Sequence, residues 1–361
     1  MNPEIVLPAL AAGSSALMEY LSAHVLTCLI PAFFIAGAIA ALLQREAVLK
    51  YFGRDADKWL CYSVASTSGT VLAVCSCTIL PMFAGIHRRG AGIGPATAFL
   101  FAGPAINLLA VVLTARVLGL ELGAARIAAA VSMAIIIGLV MAAIFERGSE
   151  EAEGTEEAAC TIPASGGGGE DERPGYIPPL FVGVLVAVLL AATSGLDLWP
   201  KAAVVAVLVA AAAWLLMRYF TEMEKGSFLE ETWWLTKRIF PLLLVGTFIT
   251  GIIGYYLPVN LVRIVFGESD FVACLVASVI GALLYMPTLL EVPIVGTMFG
   301  YSSGTMAPGP ALALLLAGPS MSLPNMIVIW RIIGSKRAAV YITLVIILST
   351  LMGMIYGMVA S

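Results

Sequence analysis

Long stretches without a single charge alternate along this chain with short stretches where the charges collect. Residues 59–86, 90–115, 127–145, 174–196, 239–262, 271–290, 292–330 and 338–361 contain no Asp, Glu, Lys or Arg. A helix that crosses about 30 Å of hydrocarbon needs roughly 20 apolar residues. Most of these stretches are that long. Barrel strands would alternate and run about 10 residues, which the pattern does not. The predicted fold is therefore all-α: a polytopic membrane protein with about 8–10 transmembrane helices. The pattern places them near 22–43, 59–80, 94–113, 125–145, 177–195, 202–217, 239–257, 271–285, 310–330 and 338–359. Residues 4–20 read as an interfacial helix or an incomplete span.

Composition agrees with the pattern. Hydrophobic residues make up 60% of the chain and charged residues 12%, against about 45–50% and about 25% in soluble domains. The mean hydropathy is +0.99. So few charges cannot cover a water-facing surface, so the expected place is the cell membrane, multi-pass. The net charge of −4 says little about partners, because nine of the 23 acidic residues lie in 146–176. No basic face for nucleic acid is visible. The partners expected are a small-molecule or metalloid solute and the lipid bilayer, and assembly as a homo-oligomer stays open. The start, MNPEIVLPAL, lacks the basic region of a cleavable signal. The six cysteines are not spaced as a disulfide framework. No nucleotide-binding loop, zinc-protease or serine-hydrolase motif occurs. The expectation is no enzyme and no cofactor.

Two breaker motifs recur at one spacing. Gly94-Pro95-Ala96 and Ala102-Gly103-Pro104 return 215 residues later as Gly309-Pro310-Ala311 and Ala317-Gly318-Pro319. Two matches at a single offset predict an internal repeat. The domains expected are a first membrane repeat (1–145), a flexible acidic Gly/Ser linker (146–176), two connecting transmembrane helices (177–217) and a second repeat (218–361). The linker is too polar to bury a core of its own. A simple count of spans implies parallel copies. The charges argue for inverted ones: the loop QREAVLKYFGRDADK is basic and its counterpart around Arg263 is not. One re-entrant segment would reconcile the two, and the charge pattern is the guide preferred here.

Candidate chemistry gathers at the breakers. Proline lacks the amide that a helix needs, so Pro104 frees the carbonyl of Leu100 and Pro319 that of Leu315. Free carbonyls at membrane depth belong where protein or a water-lined cavity surrounds them. That places Gly103, Pro104, Gly318 and Pro319 on a central pathway. Cys75-Ser76-Cys77 stands just before Pro81. Thiolates select soft ions, so Cys75 and Cys77 are candidate ligands for a metal or metalloid. Residues i and i+2 leave a helix on different faces, so the two could share one atom only on unwound backbone, which Pro81 permits. Glu291 is the only charge between Asp270 and Arg331. A carboxylate at that depth is a functional candidate by default, here for proton coupling. The alternative is an interfacial acid that reaches up to water.

The run CSCTILPMFAGIHRRGAGIGPATAFLFAGPAIN resembles the signature of the predicted permeases once grouped as domain of unknown function 318, a group that includes organoarsenical efflux permeases. In that signature a cysteine pair with a following proline, a basic turn and an AGP-x-x-N element succeed one another. The second half is similar through LAGPS and Asn325, although no cysteine there matches Cys75 or Cys77. Carried over by position, the motif residues are Cys75, Cys77, Pro81, Gly103, Pro104 and Asn107 in the first half, and Gly318, Pro319 and Asn325 in the second. The resemblance implies a secondary permease that exports a soft, thiol-reactive solute. The competing readings are a membrane thiol-redox protein built on Cys75 and Cys77, and a permease for an unrelated small solute.

Overall fold

The computed structural model describes residues 3–22, 29–42, 76–88, 90–146, 177–193, 198–256, 264–284, 286 and 290–360. Among them the secondary structure is helical throughout. The helices are α1 (Pro3–Tyr20), α2 (Ile30–Leu42), α3 (Ser76–Arg88), α4 (Ile93–Ala105), α5 (Leu108–Val117), α6 (Leu120–Phe145) and α7 (Ile177–Thr193). There follow α8 (Leu198–Tyr219), α9 (Glu222–Tyr256), α10 (Phe271–Leu283), α11 (Glu291–Pro293), α12 (Pro308–Ser320), α13 (Leu323–Ile333) and α14 (Ser335–Ala360). A π-helical turn, Ile294–Met298, continues α11. Helices are what a lipid solvent demands, because each satisfies its own backbone. The protein is an all-α, multi-pass membrane protein.

Four helices are long and apolar enough to cross a membrane unaided: α6, most of α8, most of α9, and α14. Two expected spans are instead bent pairs. The axis turns by 43° between α4 and α5 and by 51° between α12 and α13. The uninterrupted spans expected at 94–113 and 310–330 are thus corrected to broken ones. The cause lies in the sequence: each first helix ends one residue after its AGP element, where proline cannot continue the hydrogen-bond ladder. The expected span at 59–80 falls largely outside the described residues, as do the linker and the loop 43–58.

α4 and α12 form the centre. All of α4 is buried, and so is α12 apart from its first residue. A helix apolar all round belongs inside a bundle rather than against lipid. Small residues let the backbones close in. Gly309 faces Gly353 where α12 meets α14, and Gly281 faces Gly318 where α10 meets α12. Such small-on-small contacts carry helix packing where lipid removes the hydrophobic drive.

Helix directions follow from end-to-end contacts. The Gly94 amide at the start of α4 donates to Glu146 Oε1, just past the end of α6. Arg337, near the start of α14, has its guanidinium 5.9 Å from the Phe145 ring at that same end. Gly309, at the start of α12, touches Gly353 near the other end of α14. α4 and α12 therefore enter from opposite ends of the bundle. Their far ends meet in the middle, where the Ser320 hydroxyl donates to the Phe101 carbonyl at 3.4 Å.

The end that holds Glu146 is rich in basic residues. There Arg88 pairs with Glu231 of α9 at 2.7 Å and lies 4.1 Å over the Trp234 ring. Arg331, Lys336 and Arg337 belong to the same end.

Candidate solute site

The centre of the bundle holds a charged pair in an otherwise apolar environment. Arg126 is the seventh residue of α6, on the stripe that also buries Leu122, Ala129, Ala130 and Met133. That stripe recurs every three to four residues, as a core-facing helix requires. At 1.5 Å per residue, Arg126 stands about 9 Å inside the start of α6. Its side chain and that of Glu291 are both fully inaccessible, and Arg126 Nη2 forms an ion pair with Glu291 Oε1. The expectation left Glu291 a choice between depth and an interface. Burial decides for depth, and the carboxylate does not reach water.

Three elements hold the guanidinium. Nη1 donates to Thr114 Oγ1 of α5 at 2.9 Å, and Nε donates to the carbonyl of Ala105, the last residue of α4, at 3.4 Å. The last carbonyls of a helix lack intrahelical donors, and the negative end of the helix dipole favours a cation there. The AGP break thus creates a seat for Arg126. Thr114 Oγ1 donates onward to the Ala110 carbonyl at 2.7 Å, which leaves its lone pairs for the guanidinium. Glu291 is less completely satisfied: its second oxygen, Oε2, has no hydrogen-bond donor among the described residues. A buried ion costs several kcal/mol in desolvation, so an open position on a buried carboxylate is a place for a proton or a ligand rather than a packing device.

Several of the expected residues come together here. Pro104 and Gly103 form the last turn of α4 beside Arg126, and Gly318 and Pro319 form the last turn of α12, which packs against α4. Asn107 lies at the α4–α5 break and Asn325 on the first turn of α13, both buried. Pro81 is buried in the second turn of α3. Cys75 and the Cys77 side chain lie outside the described residues. Among those described, no three His, Cys, Asp or Glu side chains converge as a metal site would. Sequence reasoning missed Arg126, because the apolar run beginning at 127 set it at the edge of a span. The helix starts at Leu120. A lone arginine six residues into a helix, with Glu291 the lone acid of the second half, was the available signal.

Relatives share this organisation along almost the whole chain. Residues 11–358 match the ArsP_1 family of predicted permeases. The chain belongs to this permease family. It is similar to the UPF0718 protein MJ0584 of Methanocaldococcus jannaschii, 39% identical over 355 residues, which is 95% of this chain and 94% of the relative. It is also similar to the UPF0718 protein YraQ of Escherichia coli K12, at 24% identity over 303 residues, covering 82% of this chain and 67% of the relative. No solved structure matches it. The permease therefore handles a small solute at a lipid membrane, and the Arg126–Glu291 pair sits where its broken helices meet.

Proposed function

We propose that the permease is a secondary exporter of a soft, thiol-reactive solute, a trivalent organoarsenical or a related metalloid or metal species, and that Glu291 couples its movement to protons. The observation that carries the proton part is the Glu291 carboxylate, fully buried, with one oxygen on Arg126 and the other open. Protonation would remove the attraction that ties α11 to α6, so proton binding and the relation between the two broken pairs become linked. The thiol part rests on Cys75 and Cys77 beside Pro81. A trivalent centre bearing two hydroxyls can exchange each for one thiol, the sulfur binding the centre and the thiol proton leaving with the hydroxyl as water. Hydrolysis reverses the exchange and releases the solute.

An internal inverted repeat supports a transport cycle. α4 and α12 have 13 residues each, and α6 and α14 have 26 each. Both ends of each second helix are those of the first moved on by 215 positions. Gly119 and Gly334, at the same offset, both have positive φ, 111° and 84°. Inverted repeats with broken helices and a midplane site are the common build of secondary transporters. The basic end would face the cytoplasm, so export would run away from it.

Two measurements test the reading. In vesicles with the permease reconstituted, Cys75→Ser with Cys77→Ser is expected to abolish uptake of phenylarsine oxide. Unchanged uptake removes the thiol mechanism. Glu291→Gln keeps the shape but cannot exchange a proton, so transport by that variant is expected to lose its response to an imposed pH gradient. A gradient response equal to that of the unaltered chain would exclude Glu291 as the coupling group.

A further inference from the structure

Arg126 and Glu291 have counterparts at the repeat offset. Arg126 is the seventh residue of α6, and Tyr341 is the seventh of α14. Glu291 opens α11, and Ser76 opens α3. The packing corresponds as well: α11 lies against α5 and α12, and α3 lies against α13 and α4. The relation that sets the Arg126 guanidinium at the first turn of α11 therefore sets the Tyr341 ring at the first turn of α3, the turn that follows Cys75.

The two positions differ in one respect. Arg126 has Thr114, the Ala105 carbonyl and Glu291 for partners. Tyr341 is as deeply buried, but its hydroxyl has no partner among the described residues. Where the first pocket has Thr114, the second has Ile329, which offers no acceptor. A buried hydroxyl left unpaired costs about 1–3 kcal/mol, and phenylalanine would fill the same space without that cost.

We propose that the Tyr341 hydroxyl is a solute-binding group, donating a hydrogen bond to an oxygen carried by the soft centre that the cysteines hold. The inverted repeat thus makes two unlike pockets from one geometry, a charged one for the proton and a neutral one for the solute. This proposal rests on the thiol reading above.

The test is Tyr341→Phe in the purified, full-length permease, with phenylarsine oxide binding followed by tryptophan fluorescence and the unfolding midpoint measured in detergent. The expected result is affinity weaker by about tenfold, the size of one hydrogen bond, with a midpoint equal to or above that of the unaltered protein. Unchanged affinity overturns the proposal and leaves the thiol reading standing, provided that Cys75→Ser with Cys77→Ser still abolishes binding. Weaker binding with a lowered midpoint makes Tyr341 a packing residue and also overturns it. Failure of the unaltered permease to bind the probe overturns both.

Discussion

Arg126→Ala, made alone, lowers the stability of the permease by about 3–5 kcal/mol, because it strands the Glu291 carboxylate in the bundle without a counter-charge. Glu291→Ala strands the guanidinium and falls in the same range. The residual Ala105 and Thr114 contacts retain some of the interaction, so the loss for Glu291→Ala sits toward the lower end. The informative variant is the double one. Arg126→Met with Glu291→Leu removes both charges and keeps much of the volume, and such replacements are often neutral or stabilising. Its unfolding midpoint is expected close to that of the unaltered protein, while its proton-dependent transport is absent. A double-mutant cycle on these four proteins, read by unfolding in detergent, gives the coupling directly. Additive losses, with no recovery in the double variant, would mean that the two side chains do not form a pair.

Gly353→Ala damages the protein through close backbone approach. A Cβ at Gly353 would lie 2.7 Å from the Gly309 carbonyl oxygen and 2.8 Å from the Ala313 Cβ. The first obstacle is backbone, which cannot rotate aside, so α14 must move away from α12. Overpacking of this kind costs about 1–3 kcal/mol, and Gly353→Val more. α12 carries Pro319 and Ser320 to the contact with α4, so the displacement should also reduce transport. Gly183→Ala on α7 is the control: an added Cβ there meets nothing within 4 Å. Helix propensity alone then makes it neutral or stabilising by up to about 1 kcal/mol. Equal midpoints for the Gly353 and Gly183 variants would show that the α12–α14 approach is not tight.

Much of the architecture was legible because lipid imposes simple rules on a chain. Charge-free runs of adequate length had to become helices, and AGP had to end them. The bends at residues 106–107 and 321–322 follow from proline chemistry that can be read without coordinates. What stayed hidden was pairing. Arg126 lies 165 positions from Glu291, and nothing local to either residue names the other. Likewise Ser320 meets Phe101 across the whole length of the chain, and Tyr341 looks like an ordinary span residue until its depth and its orphaned hydroxyl are seen.

The charge-free runs, the matched AGP elements and the lone Glu291 determined a helical membrane permease with breakers at its heart, because hydrocarbon tolerates only backbones that satisfy themselves. The tertiary structure alone decided that the two breakers enter from opposite ends and that Arg126 neutralises Glu291. Direction and charge pairing are relations between distant segments, set when the helices pack and invisible in the order of the residues.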